Sequence, residues 1–143
     1  MNREIEFRGL NDTIWYYGEM HYNAANGSHQ IVTFIQMPPS MLDPCGDQFN
    51  DFNDVKYSTI GQYTGVMDRK GVKIYEGDIV ACKNGNTGSI MNCEVVFHNG
   101  CFCTRNGSKY NWRKDVREFV LTPLKNYVLI VGNIHQNPEL INI

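Results

Sequence analysis

Cys93, His98, Cys101 and Cys103 place three thiols and an imidazole within one short stretch, the side chains a zinc ion would use. Zinc takes four such ligands in a tetrahedron, usually from spaced pairs that wrap around it, as in C-x2-C. Here the C-x-C pair lies in the strand-like run "CFCTR". Its two thiols share one side about 6.5 Å apart at the backbone, too splayed to chelate. Asn99-Gly100 is a strong two-residue hairpin signal. It sets His98 opposite Cys101, Phe97 opposite Phe102, Val96 opposite Cys103 and Glu94 opposite Arg105. Cys93 then falls on the other side with Val95, Phe97, Phe102 and Thr104, the side expected to face the core. A closed site would need Cys45 or Cys82 to arrive from elsewhere. The reading is packing thiols, with no metal and no cofactor.

A second set is basic. Arg105, Lys109, Arg113, Lys114 and Arg117 lie in a window whose one acid is Asp115, with Tyr110 and Trp112 interleaved. Cations beside stacking rings are what single-stranded nucleic acid asks for. The competing reading is a solvated helix face whose aromatic rings anchor it. The net charge of −2 provides no global attraction to a polyanion, so nucleic-acid binding is the second choice.

Catalytic patterns do not assemble. His21, His29, His98 and His135 are scattered, and no serine sits in a G-x-S-x-G elbow. A Cys101/His98 thiolate pair would lack an orienting third residue and an oxyanion donor. Asp43, Asp47, Asp51 and Asp54 lack the spacing of a calcium loop. Gly61, Gly65, Gly71 and Gly77 spell neither dinucleotide nor P-loop motif, so they are read as chain reversals. The expectation is a protein that is not an enzyme.

The elements that would position these residues are mostly strands. "REIEFRG" alternates with period two, "LNDT" turns, and the aromatic run "IWYYGEMHY" pairs back as a hairpin. "NAANGS" turns again into "QIVTFIQM". Residues 38–54, with Pro38, Pro39 and Pro44, read as a flexible loop. "VKYSTI", "GQYTGVM", "VKIY" and "DIV" resume the strands, with an Asx turn expected at Asp78. Val116, Phe119 and Val120 lie at helical spacing, predicting a short helix over 111–121. "NYVLIVGNI" is an apolar strand expected to be buried on both sides or at a subunit contact, and "NPELI" a terminal turn. The fold expected is mainly β: a strongly bent antiparallel sheet or small barrel, as a single domain over 1–143.

The chain of 143 residues has ordinary hydrophobic and charged fractions, no run long enough to span a bilayer, and no apolar leader in "MNREIEFRG". The cysteine count is odd, so free thiols in the cytoplasm are expected rather than a disulfide framework.

Three stretches, "IEFRGLNDTIWYYG", "TIGQYTGVMDRKGVKIYEGDIV" and "IVGNIHQNPELI", resemble the YopX family of phage and prophage proteins in order and spacing. The matching positions are Gly61, Gln62, Tyr63, Thr64, Gly65, Tyr75, Glu76, Gly77 and Asp78, with Gly132, Asn133, Asn137 and Pro138. The resemblance implies a small β-rich, self-associating protein of bacterial host cytoplasm, with no activity attached to those residues. The cysteine cluster and the "VKY" before the central motif depart from the family pattern. A protein-binding, self-associating module is the first reading, without membrane contact and with its protein partner unnamed. Nucleic-acid binding through 105–117 is the second.

Overall fold

Short alternating runs separated by glycine and Asx turns give an all-antiparallel arrangement. The computed structural model describes residues 3–34, 50–83, 88, 90–98, 100–105, 118–120 and 128–141. Within them lie eleven strands and two 3-10 turns, and no α-helix. The chain divides into two compact units, Glu4–Gln62 and the residues from Tyr63 onward together with Met1–Arg3.

In the Glu4–Gln62 unit, β1 (Phe7–Asn11), β2 (Ile14–Asn23), β3 (Ser28–Phe34) and β4 (Asn50–Val55) succeed one another as antiparallel neighbours, in the order β4-β3-β2-β1. The first two residues of β5 (Gly61–Met67) then pair with Phe7 and Arg8. The β1–β2 turn is made by Asp12 at φ 53°, a left-handed conformation that Asp tolerates better than most residues. Two close approaches show how strongly this sheet bends. A Cβ on Gly18 would sit 2.0 Å from the Val32 carbonyl oxygen, and one on Gly9 would sit 2.6 Å from Val55. β1 and the end of β4 meet where the Lys56 N–H donates to the Leu10 carbonyl at 2.9 Å. Below them the Thr59 hydroxyl of a 3-10 turn (Tyr57–Thr59) accepts from Leu10 N–H at 2.9 Å. Ile31 is fully buried in this unit. The expected bent antiparallel sheet is what forms.

The second unit continues β5 into a hairpin with β6 (Lys73–Tyr75). It then builds a five-stranded sheet from β7 (Asp78–Lys83), β8 (Ile90–His98), β9 (Cys101–Arg105), β10 (Glu118–Val120) and β11 (Leu129–Asn133), in the order β10-β9-β8-β7-β11. Ile74, Val80, Cys93, Val95 and Val128 form its buried cluster. The β8–β9 register is the one read from Asn99-Gly100, with His98 opposite Cys101 and Glu94 opposite Arg105; Gly100 has φ 79°, while Asn99 lies outside the described residues.

Several local expectations are corrected. Of the helix expected over 111–121, residues 118–120 form strand β10 against β9, and the others lie outside the described residues. Phe and Val suit a pleated ladder, and β9 offers an edge, which outweighs the helical spacing. Of the loop expected over 38–54, residues 50–54 belong to β4, paired along β3, and 38–49 lie outside the described residues. "VKYSTI" ends β4 and becomes the 3-10 turn instead of a strand. β11 is an edge strand with a bulge between Ile130 and Gly132, half-buried rather than enclosed on both sides.

Candidate functional site

Gly61 and Gln62 end the first unit by pairing with Arg8 and Phe7, and the matching motif residues from Tyr63 onward come together in the second unit around two turns. In "GQYTG", Tyr63 faces Tyr75 across β5 and β6, their rings 5.7 Å apart, and the Lys73 ammonium lies 5.2 Å over the Tyr63 ring. The ladder slips between Tyr63 and Met67, where Gly65 takes φ 85°. Only glycine enters that region without strain. The Thr64 hydroxyl spans the slip by donating to the Ile74 carbonyl at 2.8 Å.

In "YEGD", the buried Asp78 carboxylate accepts the Tyr75 backbone N–H at 2.8 Å. A backbone N–H is held as expected, but it is the one three residues back, so the carboxylate closes the Tyr75–Asp78 turn from behind instead of forming an Asx turn ahead. Gly77, at φ 88°, places its two peptide groups into different elements. Its N–H donates to the Val95 carbonyl of β8, and its carbonyl accepts from Ile134 N–H, each at 2.9 Å. A Cβ there would also lie 3.2 Å from His135 Nε2.

The C-terminal motif completes the cluster. Asn133 faces Asp78 across β7 and β11. Its side-chain oxygen accepts from His135 N–H and Gln136 N–H at 3.1 and 2.9 Å, and its amide donates to Gln136 Oε1 at 3.0 Å. The Asn137 side-chain oxygen lies 2.7 Å from where a Gly132 Cβ would be, so any side chain there would have to displace Asn137. Pro138 opens a closing 3-10 turn (Pro138–Leu140). Reading the sequence alone missed Asp68. It is buried, and its carboxylate takes Lys70 N–H and Val72 N–H at 2.9 Å each and Ile130 N–H at 3.3 Å. The signal was present as Asp shortly before Lys-Gly in a turn, but its reach to β11 has no trace in local sequence.

This cluster binds backbone to backbone. The Asp68 and Asp78 carboxylates and the Asn133 side-chain oxygen accept main-chain N–H groups, which holds the turns in place.

The cysteine and histidine set does not converge. Cys93 and Cys103 are buried on opposite sides of the β8–β9 hairpin. The Cys101 thiol donates to the His98 carbonyl at 3.3 Å, while His98 Nδ1 accepts from Arg105 at 3.1 Å. Cys93 is held protonated far above the usual thiol range, first by its hydrogen bond with Cys82, then by burial and by the proximity of Cys82. Among the described residues no three His, Cys, Asp or Glu side chains gather as an ion site. The side expected to be core buries Cys93, Val95 and Thr104, but Phe97 at the hairpin tip is exposed. Of the basic set, Arg105 is described and is engaged within the hairpin; Lys109, Tyr110, Trp112, Arg113, Lys114 and Arg117 lie outside the described residues.

The Glu4–Gln62 unit has exposed aromatic side chains instead. Tyr22 and His29 face each other across β2 and β3 with rings 5.1 Å apart, and His29 lies 4.3 Å from Tyr57. The outer rings of this stack are 57% and 67% exposed. No described helix is long and apolar enough to cross a membrane.

No curated protein matches the chain. Two solved structures are similar throughout, each at 20% identity, a level that speaks to the fold. Protein EF1440 from Enterococcus faecalis is covered over 99% of its length by 98% of this chain, with TM-score 0.51. Protein YopX from Bacillus subtilis is covered over 96% by 94% of this chain, with TM-score 0.54. The family model described as YopX protein matches residues 6–142. With the motif residues assembled as above and the match running nearly end to end, this chain belongs to the YopX family.

Proposed function

We propose that this protein is a phage or prophage accessory module of the bacterial cytoplasm that works by binding protein, itself included, and not by catalysis. The observation that carries the reading is the Tyr22–His29–Tyr57 stack, with Met20 on the same side of β2, 49% exposed. Exposed aromatic rings already ordered by stacking lose little freedom on docking, which favours them as anchors. The use of the motif residues to fasten turns supports the same reading, since it leaves them in a structural role.

Sedimentation velocity over a wide concentration range tests it. The expected result is concentration-dependent assembly that Tyr22→Glu weakens by about tenfold or more. A wild-type chain that stays monomeric throughout, or an assembly indifferent to Tyr22→Glu, removes this surface from the function. Nucleic-acid binding through 105–117 is the competing reading, and a nucleic-acid absorbance signature on the purified chain would favour it.

A further inference from the structure

Residues 4–62 hold eight acidic side chains against two basic ones, Arg8 and Lys56, whereas the other residues hold seven acidic and eleven basic. Arg8 is buried with its guanidinium 4.3 Å over the Trp15 ring, so Lys56 is the exposed cation among the described residues of this unit. On one face of β2, β3 and β4 the register sets Glu19, Val32 and Phe52 in one row and His21, Gln30 and Asp54 in the next. Tyr17 shares that side of β2 next to Glu19.

The row is ordered before anything binds. Gln30, almost fully buried, takes a hydrogen bond at Oε1 from His21 Nδ1 at 3.1 Å and donates from Nε2 to Asp54 Oδ1 at 2.9 Å. The His21 and Phe52 rings meet edge to face at 5.3 Å. Phe52 is 54% exposed and Tyr17 46%, with Glu19 and Asp54 exposed beside them. Exposed rings flanked by carboxylates complement lysine and arginine. The cation rests against the Phe52 ring, its N–H groups reach the carboxylates, and its aliphatic stem covers Phe52. A polyanion would be repelled here, and a wholly apolar partner would leave Glu19 and Asp54 desolvated without compensation.

We propose that this face of the Glu4–Gln62 unit docks a lysine- or arginine-rich segment of a partner polypeptide. The inference deepens the protein-binding reading above, and uses the opposite side of β3 from the Tyr22–His29–Tyr57 stack.

Fluorescence polarisation on the full chain tests it. The probes are a labelled twelve-residue peptide alternating arginine with leucine and its glutamate counterpart. The arginine peptide is expected to bind saturably. Phe52→Ala is expected to weaken it about tenfold, as is the double variant Glu19→Gln/Asp54→Asn. The glutamate peptide should not bind. These side chains are exposed, and an unchanged melting temperature confirms that each variant folds. Absence of arginine-peptide binding, or equal affinity in the variants, overturns the proposal. Sedimentation of the same variants separates it from self-association. If Phe52→Ala dissociates a wild-type assembly, the occupant is a second copy and the proposal fails. If the wild-type chain is monomeric yet binds the peptide with the stated sensitivity, self-association fails and this inference stands.

Discussion

Asp68 and Asp78 do inside the second unit what Asx residues ordinarily do in open loops: each carboxylate satisfies backbone N–H groups that a turn leaves without a strand partner. Because both are buried, losing either leaves a desolvated donor. Asp78→Ala and Asp68→Ala are each expected to cost about 1–3 kcal/mol, read as a lowered melting temperature; an unchanged value would refute the role. Glu94 makes a second residue-scale prediction. Burial pushes its carboxyl above the usual range, and the facing Arg105 guanidinium offsets this only in part. A carboxyl raised in the folded state favours folding while protonated. That contribution is present below the unfolded value and is lost as pH rises through the folded one. Glu94→Gln should therefore gain stability relative to wild type as pH is raised from about 4 towards neutrality, measured by melting temperature at each pH. A constant difference between the two proteins would count against the burial effect.

At the scale of elements, glycine positions separate the bends that can be relaxed from those that cannot. Gly18 sits under a backbone carbonyl, which cannot swing aside as a side-chain tip would. Gly18→Ala is expected to destabilise the β2–β3 pairing by at least about 2 kcal/mol, seen as faster amide exchange along β3. Hairpins of this kind were the legible part of the chain. Asn99-Gly100, Asn26-Gly27 and Gly71 mark reversals by local chemistry, and the His98–Cys101 register came directly from the two-residue loop. What was not legible needed distant partners. Residues 118–120 have helical spacing on one side and strand-forming types, and β9 decides between them. Asp54 reads as a loop charge until β3 brings Gln30 to it. The candidate site divides in the same way: Asp78 was readable, whereas Asp68 and the Gln30-centred row were not.

For the whole molecule, the division at Gln62 separates an acidic stretch with exposed rings from a basic remainder that contains most of the motif cluster. The ladders of Glu4–Gln62 draw their hydrogen bonds from within that stretch, including the β1–β4 closure at Lys56. A chain of residues 1–62 is therefore expected to fold by itself, with cooperative thermal loss of its far-ultraviolet circular dichroism. A featureless melt would show that the stretch depends on residues beyond Gln62. The Gly77 carbonyl, by contrast, takes its hydrogen bond from Ile134, far along the chain. During translation the first stretch emerges with its partners already made, while the Gly77 turn must wait, half-fastened, until Ile134 has left the ribosome. A polypeptide halted short of that residue would carry its second sheet unsecured, a ready target for quality-control proteases.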